Sequence, residues 1–515
     1  MAPQLQAVLS SSYLVPMIGC LFFITFILSY ISSWRRLRHI DGPLLASISY
    51  LWMFRTSLTG EQAARYGTIS QKYGRLARIG PNDLLTSDPE VLRRMNGARS
   101  KYGRSSWYRA MRMDPYADSL FTQMDAGAHD RLKAQLAFGY GGRENPTIER
   151  GIDEQVANLV ALVRRKYLST GGEGTTGPRL RPMDLATVVN YFTLDAITRV
   201  AYGRAFGYLE TDSDVFSYIE ASEAQVPIMV LLADVPYLAR IAYSDTVLKL
   251  FGPKTTDKKG MGQMLAVAQK VVGERFGPEA KDRQDMMGSF VRHGVPRRQC
   301  EAEVIFQIIA GSDTTATAIR GTMLHLMSMP SAYLRLREEV DAAAAAGRIS
   351  SPIQVDEARQ LEYLQAVILE GLRMNPPFSG LIMKEVPRGG DTIDGKFVPE
   401  GTRVGQSILA IMRSPTIFGQ DADVFRPERW LGGIESEDNT RHREMAQAVD
   451  LLFGHGRWGC SGKAVAFMEL NKVYVELLRN FDFQLIDVRK PVESKNYNIF
   501  FQKNMWVKVT ERTKS

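Results

Sequence analysis

Cysteines are scarce in this sequence of 515 residues, and their number excludes a disulfide-stabilised scaffold. Only Cys20, Cys300 and Cys460 occur, and none lies in a CxxC pair that would indicate zinc. No Asn-x-Ser/Thr glycosylation site is present once proline at the middle position is excluded. Basic residues exceed acidic ones only slightly, 64 against 56, and no nucleic-acid-binding motif is found. These absences indicate a body in a reducing, cytosolic compartment and no nucleic-acid partner.

Charged side chains are absent before Arg35, and this predicts a membrane anchor. Residues 14–31 are nearly all apolar, and at about 1.5 Å per residue they span about 27 Å, enough to cross a bilayer's hydrocarbon core. Basic residues follow this run, so the positive-inside rule keeps the rest of the chain in the cytosol. The alternative, a cleaved signal peptide, has a shorter apolar run that follows basic residues. We expect an anchor over residues 1–34, a basic Gly-Pro hinge and linker over 35–59, and one folded body over 60–515.

Helical patterns dominate that body. Strand-like pieces are short and cluster in residues 383–404 and 498–509, where Gly or Pro interrupts them. The sequence therefore predicts a mainly α fold with a small β portion. The predicted helices cover residues 190–202, 300–329, 333–346, 361–374 and 462–479.

A glycine-rich loop, FGHGRWGCSG at residues 453–462, contains Cys460 and precedes an amphipathic helical pattern. Its glycines allow the backbone to approach a flat ligand closely. At a helix start, free N–H groups and the helix dipole favour a thiolate over a thiol. With no His or Cys nearby to complete a zinc set, a lone thiolate suits the proximal ligand of a haem iron. The alternative is a buried cysteine beside a tight turn, without function.

A second motif lies in residues 304–319, an apolar helical pattern with one charge, Asp313. A carboxylate there costs several kcal/mol unless it is paired or used. Gly311 indicates a bend or a close approach, and Thr314 can donate back to the carbonyl of Ala310, which loosens the helix. An acid and a hydroxyl in such a helix are typical of a proton relay. The alternative is a helix N-cap, against which the preceding apolar run argues.

A third motif is the pair Glu370 and Arg373, spaced i, i+3 on a predicted helix. The spacing alone carries little weight, because it recurs elsewhere and exposed pairs of this kind stabilise little. Its position does carry weight: it follows the Asp313 helix and precedes a segment that supplies a second arginine, Arg429. The other pairs with this spacing are Glu90/Arg93, Glu385/Arg388, Glu400/Arg403 and Glu476/Arg479.

Taken in this order, the motifs resemble those of the cytochrome P450 family of haem-thiolate monooxygenases, and the resemblance covers nearly the whole chain. AGSDTT at residues 310–315 resembles the oxygen-activating helix motif, and FGHGRWGCSG matches the haem-ligand loop. The resemblance implies haem b, a large helical domain with a small β portion, and Cys460 as the axial ligand of the metal. Glu370, Arg373 and Arg429 match the structural salt-bridge triad of the family.

The resemblance extends to a narrower group. The anchor followed by basic residues is similar to that of the microsomal members. The stretches AGSDTTATAIR and GKAVAFMELNKVYVELLRNFDF are similar to fungal enzymes of the pisatin-demethylase-like group, many of which serve secondary metabolism.

Departures from the family pattern concern the haem propionates. The family usually has Arg two residues before the cysteine, where this chain has Trp458 next to Arg457. Where the family has Trp-x-x-x-Arg on a helix, this chain has His129 and Lys133. Where the family has a later arginine, this chain has Lys384. Each substitute still donates hydrogen bonds, although Lys offers a point charge where Arg offers a planar fork. The resemblance thus implies cofactor contacts from Phe453, Gly456, Arg457, His129, Lys133 and Lys384.

The resemblance also implies an activity: oxidation of a bulky hydrophobic small molecule with dioxygen and NADPH-derived electrons. A NADPH–cytochrome P450 reductase delivers the electrons, the Cys460 thiolate favours O–O cleavage, and Asp313 and Thr314 deliver protons. The implied location is the endoplasmic reticulum membrane, with the catalytic domain in the cytosol. Two alternatives stay open: a haem-thiolate isomerase or dehydratase, which has no use for the relay pair, and a non-catalytic haem-binding membrane protein.

Substrate contacts are expected from stretches rich in Met, Leu, Ile and aromatic residues. Their composition favours a bulky, poorly soluble substrate such as a terpenoid or polyketide, although core-forming residues look the same. These stretches are residues 102–121, 226–238 and 378–383 and the face of the Asp313 helix. His325 and Cys300 are expected to be core residues without a catalytic role.

Overall fold

The three-dimensional structure is a computed structural model that describes residues 34–142, 144–170, 179–432 and 439–512. Six residues before these are also described, at positions 16, 17, 20, 27, 31 and 32. The predicted membrane span over residues 14–31 therefore lies almost entirely outside the described residues.

Helices make up most of the described body. They are α1 Leu44–Ile48, α2 Leu51–Leu58, α3 Gln62–Tyr73, α4 Pro89–Asn96, α5 Ser106–Ala110, α6 Ala126–Tyr140, α7 Ile148–Leu162, α8 Leu185–Tyr202, α9 Tyr208–Thr211, α10 Tyr218–Asp234 and α11 Pro236–Ala242. They continue with α12 Asp245–Phe251, α13 Gly260–Gly273, α14 Met286–Arg292, α15 Arg297–Ser328, α16 Pro330–Ala345, α17 Val355–Ala358, α18 Glu362–Met374, α19 Ile408–Met412, α20 Pro415–Phe418, α21 Asn439–Asp450 and α22 Lys463–Asn480. Each predicted helix is present, with ends shifted by a few residues. Shorter helical turns cover Val163–Tyr167, Val215–Ser217, Pro427–Trp430, Leu451–Phe453 and Gly456–Trp458.

The strands are short. They are β1 Leu76–Gly80, β2 Asp83–Thr86, β3 Gly103–Arg104, β4 Met183–Asp184, β5 Lys384–Glu385, β6 Asp391–Ile393, β7 Lys396–Val398, β8 Arg403–Gln406, β9 Phe481–Leu485, β10 Glu493–Tyr497, β11 Ile499–Lys503 and β12 Trp506–Glu511. One sheet has the order β1-β2-β8-β5-β3 and another the order β4-β12-β9, while β6-β7 and β10-β11 form hairpins. The mainly α fold with a small β portion is thus confirmed.

Strands β1 and β2 are missing from the sequence-based prediction, which places strands only late in the chain. Both are buried along their whole length. They therefore lack the apolar–polar alternation that identifies a half-exposed strand. β2 pairs in parallel with β8, and β8 pairs with β5. The sheet ends at β3, where Arg104 lies directly opposite Lys384.

The long helix α15 contains the predicted helix over residues 300–329 and begins three residues earlier. Asp313 lies near its middle, which excludes the N-cap alternative. Gly311 marks a close approach and not a break, because a Cβ there would lie 2.7 Å from Cγ1 of Ile197 on α8. The packing of α8 against α15 therefore depends on this glycine.

Residues 35–59 are not the linker that the sequence predicts, because they pack onto the body from Leu37 onward. Leu37, Ile40 and Met53 are buried. The Arg78 N–H in β1 donates to the Asp41 carbonyl at 2.7 Å. Apolar side chains every few residues give this segment enough buried surface to hold it on the sheet. The folded body therefore begins near residue 37.

One described helical stretch, Val215–Asp234, is long and apolar enough to cross a membrane by length and composition. In this structure it belongs to the body, because Val226, Met229 and Val230 are buried in the core. Its last residue, Asp234, is also buried, and its carboxylate accepts hydrogen bonds from α2, α3 and α5.

Candidate active site

Cys460 lies at the end of the glycine-rich loop, shortly before α22. Its N–H donates to the Phe453 carbonyl at 2.7 Å, which closes the loop on itself. Gly456 has a φ of 57°, and a Cβ there would lie 2.7 Å from the Asn96 carbonyl oxygen. The left-handed backbone and the close approach both require glycine at this position. The loop is thereby fixed against α4, while Cys460 remains exposed.

The surroundings of the Cys460 thiol act on its pKa in both directions. Protein atoms crowd the sulfur even though solvent reaches the residue, and this burial raises the pKa of the thiol. The Gly462 N–H and the Lys133 ammonium lower the pKa and offset part of that effect. The effect of burial on the thiol pKa is thus larger than that of the helix start. The sequence-based expectation of a thiolate rests on the helix start alone. Coordination to a metal ion reverses the balance, because a coordinating thiol loses its proton.

Lys133 on α6 supports the cysteine loop. Its Nζ donates to the carbonyls of Arg457 and Gly459, both at 2.8 Å. These two carbonyls flank Trp458, so the ammonium holds the loop on both sides of the indole. The resemblance implies a cofactor contact for Lys133, whereas the structure directs its ammonium at the loop backbone.

Trp458 is the centre of a cationic cluster, which we define as Arg104, Lys384 and Arg457 around the indole ring. The Lys384 Nζ lies 3.8 Å from the ring centroid, the Arg104 Cζ 4.0 Å and the Arg457 Cζ 6.0 Å. The His129 ring packs on the same indole, with 4.3 Å between ring centroids. Attraction between cations and the indole face explains how an apolar residue can occupy the usual arginine position.

Lys384 has a buried amino group that the described residues leave without a hydrogen-bond acceptor. Its side chain is 0% exposed, and no acceptor lies within hydrogen-bond distance of its Nζ. Burial, together with Arg104 and Arg457, lowers the pKa of Lys384 to about 6. Like charges that face each other across two strands are unfavourable, and an unpaired buried ammonium more so.

The cationic cluster therefore fits an anionic group. The propionates of haem b have the required charge, and Cys460, two residues from Trp458, offers a single thiol for the iron. The described residues contain no group of three or more His, Cys, Asp or Glu side chains that could hold a metal ion in another way. The residues present thus fit haem b.

Arg104 is a member of the cluster that the sequence analysis misses as a cofactor residue, since it counts residues 102–121 only as substrate contacts. The Arg104 Nη1 donates to the carbonyls of Leu120 and Gln123, which fixes the guanidinium against the loop before α6. No sequence signal reveals its pairing with Lys384, because two-residue strands far apart in the chain create it.

His129 and Arg457 share one carboxylate. Asp130 accepts from the Arg457 Nε at 3.1 Å, and the His129 Nδ1 lies 3.2 Å from the same carboxylate group. Burial and the nearby Arg104 lower the pKa of His129 to about 4, so the imidazole is neutral at pH 7. A neutral imidazole has one N–H, which Nδ1 directs at the Asp130 carboxylate, so His129 adds neither a charge nor a free donor to the cluster.

Asp313 and Thr314 lie next to each other on α15 but point to different partners. The Thr314 Oγ1 donates to the Ala310 carbonyl at 2.7 Å, as predicted. Asp313 is buried, and Tyr218 on α10 donates to its Oδ2 at 3.0 Å. Burial raises the pKa of Asp313 to about 6, although Arg320 acts against the shift. A carboxyl that changes protonation near neutral pH is suited to moving protons.

Glu370, Arg373 and Arg429 form one buried network. Glu370 receives the Arg373 Nη2 at 2.7 Å and the Arg429 Nε at 2.9 Å, and Trp430 donates to it as well. Burial alone would raise the pKa of Glu370, but the arginines hold it below the ordinary value. The Arg373 Nη1 continues to the carbonyls of Met412 and Ala422. The triad therefore ties α18 to the segment that leads to the cysteine loop.

An aromatic cluster joins three of the predicted substrate stretches. The rings of Phe121 and Phe306 stack with 5.3 Å between centroids, and Phe378 meets Phe121 edge-on at 6.2 Å. Phe306 lies on the same half-buried face of α15 as Ala310 and Thr314. Residues 102–121, residues 378–383 and this face of α15 therefore border one apolar region.

His325 and Cys300 lie in the core, as predicted. His325 stacks on Phe425 with 4.9 Å between ring centroids, and burial lowers its pKa to about 4. Cys300 is buried, and burial raises the pKa of its thiol to about 12. At neutral pH the imidazole of His325 is therefore uncharged and the thiol of Cys300 keeps its proton, so neither group changes protonation there.

Comparison with known proteins places this geometry in a family. The family model for cytochrome P450 matches residues 69–508. The chain is 50% identical over 489 residues to the cytochrome P450 monooxygenase ABA1 of Pyricularia oryzae, covering 94% of each chain. It is 44% identical over 476 residues to the cytochrome P450 monooxygenase aba1 of Botryotinia fuckeliana, covering 92% of each.

A solved structure shows the same fold. The crystal structure of the cytochrome P450DA heme domain superposes with a TM-score of 0.71 at 18% sequence identity, over 92% of this chain and 98% of that one. The family uses haem b held by a cysteine thiolate. The extent of these matches shows that the chain belongs to the cytochrome P450 family and is a haem-b monooxygenase.

Proposed function

We propose that this monooxygenase holds its haem through Cys460 and oxidises a bulky hydrophobic small molecule in fungal secondary metabolism. The cationic cluster carries the proposal for the cofactor: Lys384 is a buried amino group without an acceptor, close to the loop that presents the thiol. Gly454 and Gly456 have positive φ, and a Cβ at either would meet backbone atoms, so these glycines shape the loop that presents Cys460. His129, Arg457 and Phe453 complete the proposed cofactor contacts.

When bound, haem b supplies the activation of dioxygen, and the protein supplies the ligand, the protons and the pocket. Asp313 can hold a proton near neutral pH, and the Thr314 hydroxyl lies on the half-buried face of α15. We propose that this pair delivers protons to the reacting oxygen. A relay of this kind favours an oxygen-using enzyme over an isomerase or dehydratase.

The substrate class follows from the apolar region around Phe121, Phe306 and Phe378. Aromatic rings favour a large apolar ligand through the area they bury and through stacking. A terpenoid or polyketide substrate agrees with this chemistry. The proposed electron donor is a NADPH–cytochrome P450 reductase, and the proposed location is the endoplasmic reticulum membrane with the body in the cytosol.

Thr314→Ala tests the relay. We expect more NADPH to be consumed per molecule of product, because protons reach the reacting oxygen more slowly. The substrate for this assay comes from comparing the metabolites of a deletion strain with those of its parent. Thr198→Ala is the matched control, since its buried hydroxyl donates to the Leu194 carbonyl on α8. An unchanged NADPH-to-product ratio in Thr314→Ala would count against the relay.

A further inference from the structure

Asp313 has polar neighbours on two sides. On the first side the buried Arg320 donates to Asn190 and acts on the carboxyl through its charge. On the second side the Tyr218 hydroxyl donates to Oδ2 at 3.0 Å. The Arg320 side is held by a fixed cation, whereas the Tyr218 side ends in a hydroxyl group that can both accept and donate a hydrogen bond.

The backbone before α10 fixes the position of Tyr218. Phe216 and Ser217 both have positive φ, 62° and 51°. A non-glycine residue in that region costs of order 1–3 kcal/mol. The Asp214 carboxylate accepts from the N–H groups of Ile219 and Glu220, so it caps the start of α10. These constraints start α10 where the buried phenol meets α15.

Tyr218 also borders a small apolar space between α10, α13 and α15, where Ser222 and Gln225 are the other polar lining residues. Its hydroxyl oxygen lies 3.2 Å from the Ser312 Oγ as well.

The other hydroxyl groups beside Asp313 direct their protons elsewhere. Ser312 donates to the Ile308 carbonyl at 2.7 Å, and Thr314 donates to the Ala310 carbonyl. In this structure neither of them donates to the Asp313 carboxyl. Tyr218 is the hydroxyl that donates to Asp313, and this singles it out for a functional role.

We propose that Tyr218 is a positioning residue for the proposed proton relay, because its hydroxyl holds the Asp313 carboxyl in place on α15 through the 3.0 Å hydrogen bond. Tyr218 keeps its own proton throughout. The inference rests on the proposed role of Asp313 and Thr314.

The test uses the full-length haem protein with reductase and NADPH and no substrate, so no knowledge of the natural substrate is needed. Dioxygen then ends as hydrogen peroxide, with two electrons and two protons, or as two water molecules, with four of each. Water formation needs the additional protons. In Tyr218→Phe we expect the peroxide share to rise and water formation to slow by about tenfold, the effect of losing one hydrogen bond to a charged group.

Tyr202→Phe is the matched control. It removes a buried hydroxyl that contacts the same helix through the Val304 carbonyl at 3.1 Å but does not contact Asp313. We expect its peroxide share to remain that of the wild type. A merely structural effect of removing a buried phenol hydroxyl against α15 would change both variants alike, and that result would overturn the proposal.

A second readout reports on the carboxyl itself. The infrared band of the protonated Asp313 carboxyl is identified by its loss in Asp313→Asn. We expect the band to move to higher wavenumber in Tyr218→Phe, since the carboxyl loses a hydrogen-bond donor, and to stay in place in Tyr202→Phe. An unmoved band in Tyr218→Phe would contradict the positioning role.

The Asp313→Asn variant distinguishes a failure of the inference about Tyr218 from a failure of the proposed relay. If it raises the peroxide share and Tyr218→Phe does not, the inference about Tyr218 is wrong and the relay stands. If Asp313→Asn also leaves the share unchanged, the relay is wrong and the inference with it. Should Tyr218→Phe fail to bind haem, the infrared readout on the apoprotein keeps the proposal testable, and an unmoved Asp313 band there would overturn it.

Discussion

Single residues determine the charge balance of the cofactor site. Lys384 and Arg104 face each other on paired strands, and both contact Trp458. In the protein alone this arrangement is unfavourable, because a proton on Lys384 would create a buried ammonium without an acceptor beside Arg104. An anionic group relieves it. We therefore expect the cluster to favour the complex with haem over the apoprotein.

Lys384→Met is predicted to stabilise the apoprotein and to weaken the binding of haem. The apoprotein should gain about 1–3 kcal/mol, because an apolar side chain removes the cost of a buried donor without an acceptor. Haem should bind more weakly, because a propionate loses its cation. Lys384→Arg, which keeps the charge, is the control. The measurements are apoprotein unfolding in urea and the rate of haem transfer to apomyoglobin; loss of both stability and haem would contradict the account.

The stability of the apoprotein depends on pH through Lys384. Its folded pKa, about 6, lies below the ordinary value of an unfolded lysine, so the unfolded chain binds the extra proton between those values. The contribution of Lys384 to stability therefore becomes more favourable as the pH rises from about 6 toward about 10.4. Lys384→Met should weaken this dependence in the urea series.

The residues of the site differ in how far the sequence reveals them. Cys460, Asp313 and Glu370 can be singled out as candidates from the sequence because their motifs are local. Arg104 is not identified, because strand pairing brings it to Lys384. The positioning role of Lys133 is also hidden, since it depends on the carbonyls that its ammonium meets.

Secondary-structure elements are joined at two points that the site requires. Gly311 lets α8 approach α15, and Glu370 joins α18 to Arg429. The helix ends are predicted within a few residues, since long amphipathic patterns define them. Strands β1 and β2 are missed, because a buried strand of four or five residues has no alternation to detect.

Gly311→Val should destabilise the protein by about 1–3 kcal/mol, the usual cost of overpacking a core. The added carbon atoms would meet Ile197 at less than contact distance. Gly273→Ala at the end of α13 is the control. Its Cβ would meet nothing closer than 3.5 Å, and alanine is favoured over glycine in a helix. Thermal melting compares the two, and equal melting temperatures would show that α8 and α15 do not pack as described.

Glu370→Gln should cost about 3–5 kcal/mol at pH 7, because it leaves the buried arginines without their anion. Glu90→Gln is the control with the same spacing to an arginine, and its exposed carboxylate should contribute less than about 1 kcal/mol. Urea unfolding at pH 7 measures both changes.

The pH dependence of this difference follows from the depressed pKa of Glu370. Its contribution is fully present above the unfolded value of about 4.3 and is lost as the pH falls through the folded pKa. The gap between wild type and Glu370→Gln should therefore narrow in acid. A gap that widens in acid would mean that Glu370 is not ionised in the folded protein.

On the scale of the whole molecule, the family and fold follow from the order of three motifs along the chain. The start of the folded body cannot be predicted in this way. The Gly-Pro turn after Asp41 resembles a hinge in the sequence, whereas the structure requires Gly42 for its contact with β1. A Cβ at Gly42 would lie 2.0 Å from the Arg78 carbonyl oxygen. Only the packed structure distinguishes a hinge from such a close approach.

The central claim is that Cys460 holds the haem iron as a thiolate, and the carbon-monoxide difference spectrum of the reduced protein tests it most directly. The account predicts a strongly red-shifted Soret band for the wild type, and its loss in Cys460→Ala. The buried Cys300→Ala serves as control and should keep the band. A band at the position of histidine-ligated haem in the wild type, or a red-shifted band that survives in Cys460→Ala, would contradict the account.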